Sequence, residues 1–213
     1  FYYLSYINYT SWLIEWLLYT IIVKSRKIIA GVDEVGRGSL VGSVFSAAVI
    51  FEPSIYIENL VDSKKITLKN RIKLSNIIIT NSLSVSIGVA TKDEIDDINI
   101  HHASLLSMKR AVDNLSIIPD KVYFDGLYVP DLNIESHAIV RGDSKIREIS
   151  AASIIAKVIR DNIMTKYHNY IPEFNFEKHK GYGTKKHYEE LAQYGPSKIH
   201  RITFNLHSQL KLF

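Results

Sequence analysis

Short apolar runs and longer segments with apolar residues at helical spacing alternate along the chain from Lys27 onward. Short runs with alternating or continuous apolar positions are typical of strands, and apolar residues at every third or fourth position are typical of helices. This pattern predicts strands at 27–33, 43–51, 83–90, 121–125 and 134–140, and helices at 101–115, 149–167 and 185–194. Such alternation of strands and helices predicts an α/β fold.

Two local signals refine this pattern. The strands predicted at 27–33 and 43–51 are separated by a glycine-rich loop, which is typical of two paired strands. The helix predicted at 149–167 has small side chains on its first turns, namely Ser150, Ala151, Ala152, Ser153 and Ala156. Because small side chains permit a close approach of a helix to its neighbour, we expect this helix to pack tightly on the sheet.

Length and composition favour one globular core. The 213 residues are 46% hydrophobic, so we expect a single domain over 28–213 and an N-terminal extension of uncertain role over 1–27. The formal net charge of +4 fits a polyanionic partner but does not require one. The absence of cysteine excludes disulfides, thiolate metal sites and cysteine nucleophiles, and it fits a reducing, cytoplasmic location.

The first 27 residues are rich in aromatic and long aliphatic side chains. Their apolar stretch, 12–23, is shorter than the ~20 residues of a membrane helix and contains Glu15, so we expect no stable membrane association. A basic leader and a small-residue cleavage site are lacking, which argues against a secretory signal. A helix packed on the core and an upstream extension without a role in activity both remain open.

The most informative chemistry lies in the segment GVDEVGRGSLVG. Asp33 and Glu34 end an apolar run there, and since neighbouring carboxylates repel each other and resist loss of water, we expect them to bind a cation. The glycine loop that follows, Gly36-Arg37-Gly38, permits positive φ angles and a close approach of the backbone to a ligand. Arg37 offers donors that suit phosphate. These residues together indicate a metal-dependent nuclease.

Two further carboxylates follow predicted strands. Asp125 ends the run VYFDG before Gly126, and Asp143 follows the next strand in RGDSK. A carboxylate at a strand end projects into the crevice where open α/β sheets bind ligands. Oxygen ligands of this kind suit Mg²⁺ or Mn²⁺. From the residues alone, a plain turn at Asp125 and a helix cap at Asp143 remain open as alternatives.

Other patterns have less weight. The glycine loop lacks the third glycine of a dinucleotide-binding loop, and the two carboxylates before it would repel a pyrophosphate. His101 and His102 are adjacent on a helix and point to different faces, so a solvated helix start is favoured over a metal site. Ser153 and Lys157 lie one helical turn apart, but the sequence shows no oxyanion site to accompany a nucleophile. Lys157, Arg160 and Asp161 are expected instead to brace the acidic residues or to form an ion pair on the helix surface.

Six motifs occur in the order that is typical of one enzyme family, namely GVDEVGRG, DSKK, VYFDG, GDSK, ISAASIIAKVIRD and HKGYGTKKH. Over 28–206 the chain therefore resembles type 2 ribonuclease H, or ribonuclease HII. The resemblance implies a ribonuclease H-like mixed sheet flanked by helices, with a small helical C-terminal part. It also implies an endonuclease that cuts the RNA strand of RNA/DNA hybrids and single ribonucleotides in duplex DNA, leaving 5′-phosphate and 3′-OH ends.

The resemblance also implies roles for residues at matching positions. The catalytic carboxylates that would bind two divalent ions, Mg²⁺ or Mn²⁺, are Asp33, Glu34, Asp125 and Asp143. Gly36, Arg37 and Gly38 would contact the ribose 2′-OH through the backbone, and Tyr182 would pack on the sugar at the RNA-to-DNA junction. The residues that would contact phosphates are Lys64, Thr184 and His187. A glycine backbone suits the first role because it can approach the 2′-OH, the group that separates RNA from DNA.

The sequence departs from the family pattern at a few positions. Val35 stands where alanine is usual, Ser39 and Ser43 stand where proline is common, and Thr203 stands where serine is usual. None of these changes removes a carboxylate, so we expect an active enzyme. We also expect the protein to be a monomer. Two rivals stay open, a metal-dependent nuclease that needs no 2′-OH and a hybrid-binding protein without activity. The sequence leaves undecided whether a sliding clamp recruits the protein.

Overall fold

A five-stranded mixed sheet forms the centre of the computed structural model, which describes residues 27–58, 60 and 67–206. The strands are β1 (Ile29–Val35), β2 (Val44–Phe51), β3 (Ser82–Ala90), β4 (Lys121–Asp125) and β5 (Glu135–Ile139). Their order is β3-β2-β1-β4-β5; β2 is antiparallel to β1 and β3, whereas β4 is parallel to β1 and β5. The predicted strands and the mixed sheet are confirmed.

Helices cover both faces of the sheet. They are α1 (Leu68–Asn81), α2 (Lys92–Asp113), α3 (Arg147–Tyr170), α4 (Phe176–His179) and α5 (Lys185–Tyr194). Successive side chains of a strand point to opposite faces, so in β2 Ala48 and Ile50 join the cluster under α2, whereas Ala47 and Val49 join the cluster under α3. β2 is buried along its whole length, as expected for a strand that is covered on both sides.

The helix with small side chains packs closely on the sheet, as predicted. Ala151, Ala152 and Ala156 of α3 are fully buried in one cluster with Ala47 and Val49 of β2. Alanine side chains on both elements let the helix approach the central strands. This contact places α3 against β1 on one face of the sheet.

The sequence pattern does not predict α1. This helix is rich in isoleucine and asparagine, which have lower helix propensity than alanine or leucine. It buries Leu74, Ser75 and Ile78 and leaves much of its remaining surface exposed. The narrow buried stripe explains why its periodicity is weak in the sequence.

α2 begins at Lys92, earlier than the predicted start at 101. A capping box precedes it, in which Thr91 and Glu94 each accept the other's backbone N–H. Asn99 interrupts the helix with a φ of 66°, and its side chain accepts the N–H groups of His101 and His102. The predicted helix start at the two histidines is therefore confirmed, as the start of the second half of a kinked helix.

The C-terminal part packs against the end of α3. Met164 of α3, Phe174, Phe176 of α4 and Leu191 of α5 belong to one buried cluster. This arrangement confirms the small helical C-terminal part. In the ranges that the structure describes, no helix has the length and apolar character needed to cross a membrane.

Candidate active site

The side chains of Asp33 and Asp125 start side by side at one edge of the sheet. β1 and β4 are parallel neighbours with Val32 opposite Phe124, so the next residue on each strand is the aspartate. Val32 and Phe124 are buried in the cluster under α2. Because successive side chains alternate between faces, both aspartates point toward the side of α3.

α3 packs tightly against this edge. Gly31 lies under its first turn, where an added Cβ would come within 2.2 Å of the backbone of Glu148 and Ile149. Glycine therefore permits an approach that any other residue would block. Further along α3, the Ser153 side chain hydrogen-bonds Asp33. The backbone N–H of Glu34 also donates to Asp33 Oδ1, at 2.7 Å, so the aspartate is held from two sides.

Burial and mutual repulsion make these acids electrostatically costly. Burial raises the pKa of Asp33 well above its usual value, and the carboxylates of Glu34 and Asp125 raise it further. Burial also raises the pKa of Glu34, although Arg37, whose Nη1 lies 3.2 Å from Glu34 Oε1, offsets part of this rise. The ionised forms are therefore disfavoured until a positive charge arrives.

Asp143 enters the same region through a tight turn. The 3₁₀ turn Gly142–Ser144 follows β5, and its first N–H donates to Oδ1 of Asp125 at 2.6 Å. Asp143, the next residue in this turn, is buried. α3 starts after Ile146 without a side-chain cap, which excludes the alternative that Asp143 caps the following helix.

The acid cluster, defined as Asp33, Glu34, Asp125 and Asp143, fits a hard divalent cation in its chemistry. All its donors are carboxylate oxygens, which Mg²⁺ and Mn²⁺ prefer. Oε2 of Glu34 is buried and has no hydrogen-bond partner within the described part of the chain. The same part of the chain contains no group of three or more acids, histidines or cysteines already placed to hold a metal. Coordination of one cation by three or more of these acids would therefore require side-chain rotation that brings their oxygens together.

The glycine loop follows β1 directly. Gly36 has a φ of 97° and packs on Arg160, whose Nε would lie 2.4 Å from an added Cβ. Gly36 thus uses the positive φ that glycine permits, whereas Gly38 is not among the positive-φ residues. A Cβ added at Gly38 would meet no described atom within 4 Å. Packing against the described residues therefore does not require glycine at position 38. The missing side chain leaves space for a ligand.

Tyr182 lies beside the glycine loop, although it is far away in the sequence. It forms an antiparallel bridge with Ser39, whose Oγ donates to the Gly181 carbonyl at 3.0 Å across 142 positions. The guanidinium of Arg160 and the ammonium of Lys157 lie 5.2 and 5.7 Å from the ring centroid, which is cation–π distance. The C-terminal part thus adds an aromatic ring to the edge that holds the acids, and α3 supplies the two cations that lie against this ring.

The predicted phosphate contacts have different outcomes. The His187 side chain is fully buried and bonds a backbone carbonyl and another histidine, so its prediction as a phosphate contact is wrong. It lies one helical turn before Leu191 on the buried face of α5, and this spacing is the signal for its burial. Thr184 is exposed and caps α5 by accepting the N–H of His187. Lys64 lies outside the described residues.

One face of α3 borders the site; the sequence predicts that Lys157 and Arg160 brace the acids or form an ion pair, but it does not predict a role for Ser153 there. Ser153, Lys157 and Arg160 have the spacing i, i+4 and i+7, so they share a helix face. Ser153 bonds Asp33, Lys157 pairs with Asp161 at 2.7 Å, and Arg160 packs on the glycine loop. Ser153 and Lys157 thus bond different carboxylates, which argues against a nucleophile pair. Their helical spacing is the signal from which this face could be predicted.

Comparison with known proteins covers nearly all of the described chain. A family model for Ribonuclease HII matches residues 30–207. A curated ribonuclease HII from Coxiella burnetii is 52% identical over 189 residues, which is 89% of this chain and 94% of the relative. The matched range includes the acid cluster, the glycine loop and Tyr182.

Solved structures of similar proteins share the fold. The ribonuclease H2 of Pyrococcus horikoshii OT3 matches with a TM-score of 0.71 at 26% identity, over 87% of this chain and 97% of its own. Bst-RNase HIII in complex with Mn²⁺ matches with a TM-score of 0.65 at 14% identity, over 84% and 68%. From the family model and the identity to curated relatives, the chain belongs to the ribonuclease HII family of endoribonucleases, which act on the RNA of RNA/DNA hybrids.

Proposed function

We propose that the protein cuts the RNA strand of RNA/DNA hybrids and also cuts duplex DNA at a single embedded ribonucleotide, leaving 5′-phosphate and 3′-OH ends. Family membership supports the first activity. The observation that carries the second is the position of the glycine loop, which directly follows the strand with Asp33 and Glu34 and lies against Tyr182. A single ribose bound at this loop would have its phosphate near the acids.

The acid cluster would hold the divalent ions. Two Mg²⁺ or Mn²⁺ ions bound there would activate water and stabilise the leaving 3′ oxygen. The raised pKa values of Asp33 and Glu34 support this role, since a bound cation would offset the burial, and the repulsion between carboxylates, that raise them. Arg37 is exposed on its loop and pairs with Glu34, so it is free to move to a substrate phosphate once Glu34 binds a cation.

The glycine loop and Tyr182 would recognise the sugar. Within the described residues, the N–H groups of Arg37 and Gly38 donate no hydrogen bond, and they can donate to the 2′-OH, which both accepts and donates. The open space at Gly38 lets the sugar approach. The Tyr182 ring would pack against it, and Thr184 and Lys64 would contact the neighbouring phosphates.

The deciding experiment uses three labelled duplexes of one sequence. One is all DNA, one is all DNA except for a single ribonucleotide, and one is an RNA/DNA hybrid. With Mg²⁺ or Mn²⁺ we expect cleavage of the hybrid and of the single-ribonucleotide duplex, and no cleavage of the all-DNA duplex. EDTA should abolish both reactions, and the new ends should be ligatable without further treatment, as 5′-phosphate and 3′-OH require.

Two results would overturn the proposal in different ways. Equal cutting of the all-DNA duplex would indicate a nuclease that does not recognise the 2′-OH. Tight binding of the hybrid without cleavage under any divalent ion would indicate a binding protein. Cleavage of long hybrids alone would leave the family activity intact and remove the single-ribonucleotide activity.

A further inference from the structure

Arg201 is a fully buried cation that donates to backbone carbonyls of the loop after β1. Its Nη2 donates to the Gly36 carbonyl at 2.9 Å, and its Nη1 donates to the Arg37 carbonyl at 3.0 Å. Its Nε donates to the Gly42 carbonyl at 2.8 Å. All three guanidinium nitrogens thus hold one short stretch of backbone, from a position that is 165 residues after Gly36.

Peptide geometry links these bonds to the other side of the loop. The Gly36 carbonyl and the Arg37 N–H belong to one planar trans peptide unit, and the Arg37 carbonyl and the Gly38 N–H belong to the next. In a trans unit the C=O and N–H bonds point in opposite directions. By holding both carbonyls, Arg201 therefore turns the N–H groups of Arg37 and Gly38 away from the protein interior.

We propose that Arg201 is a positioning residue that aims the N–H groups of Arg37 and Gly38 at the ribose 2′-OH. The inference rests on the proposed recognition of the ribose by the glycine loop. A cationic donor on each carbonyl also polarises the peptide unit, so its N–H becomes a stronger donor. Arg201 thereby affects specificity for the sugar without touching the substrate.

The cost of burying Arg201 supports a specific role. Burial, together with the nearby Arg160 cation, lowers the pKa of Arg201 to about 9, so the side chain stays charged at neutral pH despite an unfavourable environment. An apolar side chain would fill the same space without that cost but would release the carbonyls. Lysine would keep the charge, but its single ammonium lacks the planar fork that holds two carbonyls in fixed directions.

The segment around Arg201 is anchored independently of the glycine loop. The Arg201 N–H donates to the Leu40 carbonyl at 2.9 Å. Thr203 donates to Asp96 Oδ1 of α2 through its N–H at 3.1 Å and its hydroxyl at 2.7 Å. Thr203→Val therefore loosens the same segment without touching the carbonyls of the glycine loop, and it is the matched control for Arg201→Lys.

The test measures the preference for a ribose in an Asp125→Asn background, in which we expect no cleavage. Fluorescence anisotropy gives the Kd for the single-ribonucleotide duplex and for the all-DNA duplex. We expect the Asp125→Asn protein, which is the reference for this test, to bind the single-ribonucleotide duplex roughly tenfold more tightly than the all-DNA duplex. This ratio corresponds to about one well-placed hydrogen bond. Arg201→Lys should reduce this preference to less than twofold while its Kd for all-DNA duplex stays unchanged. Thr203→Val should retain the full preference.

Several outcomes would overturn the inference. A full preference in Arg201→Lys would show that the fork is not needed, and an equal loss in Thr203→Val would show that any loosening of the segment has the same effect. If the reference protein shows no preference, the proposed recognition of the ribose fails first, and the inference fails with it.

A measurement on the wild-type protein covers the case in which Arg201→Lys does not fold. In NMR spectra the Nη protons of Arg201 should exchange slowly with water, because they are buried and hydrogen-bonded. The amide protons of Arg37 and Gly38 should shift on addition of the single-ribonucleotide duplex and not on addition of all-DNA duplex. Rapid exchange at Arg201, or amides that do not distinguish the duplexes, would overturn the inference.

Discussion

At the scale of single residues, the acid cluster is better suited to binding a cation than to stabilising the fold. Asp33 is buried next to Glu34 and Asp125, and each carboxylate raises the cost of ionising it. Hydrogen bonds from Ser153 and from the Glu34 N–H lower that cost only in part, since the pKa remains raised. A site of this kind gains stability when a divalent cation binds and when one charge is removed.

Asp33→Asn should separate these two effects. Asparagine keeps the size and a hydrogen-bonding oxygen but removes a repelled charge, so the free energy of unfolding in EDTA should stay the same or rise by about 1 kcal/mol. Cleavage of the hybrid should fall by roughly 10²–10⁴-fold, as for loss of a catalytic group. Urea unfolding and a hybrid cleavage assay measure the two quantities.

The control for this variant is Asp113→Asn. Asp113 is an exposed residue of α2 that pairs with Lys109 at 3.4 Å, and α2 covers the face of the sheet opposite α3. This substitution should change neither stability nor cleavage noticeably. Wild-type cleavage by Asp33→Asn would contradict the assignment of Asp33 to the cation site.

The two glycines of the loop should respond differently to alanine. Gly36→Ala places a Cβ 2.4 Å from Arg160 Nε at a positive φ, so we expect it to lower the free energy of unfolding by more than ~1 kcal/mol. Gly38→Ala meets no described atom, so stability should be unchanged. We nevertheless expect Gly38→Ala to lose cleavage at single ribonucleotides by at least about tenfold, because the methyl group occupies the space of the sugar.

Thermal unfolding and cleavage rates of both variants provide the measurement. Because Gly38→Ala leaves the protein's own packing intact, its loss of activity would reflect contact with the substrate. Full activity in Gly38→Ala would show that the sugar does not approach this side of the loop.

The residues that were predictable from sequence are those whose role depends on local pattern. Asp33 and Asp125 each follow an apolar run and precede a turn, so the sequence places them at strand ends. Arg201 lacks such a signal, because the carbonyls that it holds come from a distant part of the chain. A charged or polar residue in a basic C-terminal stretch reads as exposed until the fold shows what buries it.

At the scale of secondary-structure elements, predictability follows the extent of burial. β2 and α3, which are buried in the centre of the sheet layers, have clear patterns and appear where the sequence predicts them. α1 has a narrow buried stripe and no clear pattern. The first half of α2 has a capping box at Thr91, a local start signal that apolar periodicity alone does not detect.

The first turn of α5 offers a test at this scale, because Thr184 has a structural and a proposed binding role. Thr184→Asp should retain the cap, since aspartate is an equally good N-cap residue and its charge is favourable at a helix N-terminus. Stability should therefore change by less than ~0.5 kcal/mol. Duplex affinity should fall severalfold, because a carboxylate there would repel the phosphate.

Thr184→Ala is the complementary variant. It loses the cap, so we expect a loss of about 1 kcal/mol in the free energy of unfolding together with a smaller loss of affinity. Urea unfolding and anisotropy with the same duplex measure both variants. Unchanged affinity in Thr184→Asp would mean that this helix start does not face the phosphate backbone.

At the scale of the whole molecule, a chain of buried histidines joins the C-terminal elements. His187 Nδ1 lies 3.0 Å from the Tyr182 carbonyl and so must be protonated, which leaves its Nε2 as an acceptor. His200 Nε2, 3.1 Å away, therefore donates to it, and His200 Nδ1 accepts the Ser197 N–H at 2.9 Å. This order of donors and acceptors is complete only while both rings are neutral.

Stability should consequently fall in mild acid. Burial, together with neighbouring histidines, lowers the pKa of His187 and His200 to about 4 from the usual 6.5. Between these values the unfolded state binds more protons, so the contribution to stability is fully present above pH 6.5 and is lost as the pH falls toward 4. We expect a decrease on the order of 2 kcal/mol for each histidine between about pH 7 and 5.

Because the acid cluster acts with the opposite sign, the measurement must separate the two. The pKa of Asp33 is raised, so without metal its contribution is lost as the pH rises, and Asp33→Asn is the background that removes it. In this background, urea unfolding should show the acid-dependent decrease, and His200→Gln should reduce it to about half. His137→Gln, at a half-exposed position on β5, should leave the slope unchanged. A slope that survives His200→Gln intact would place the acid sensitivity outside the histidine chain.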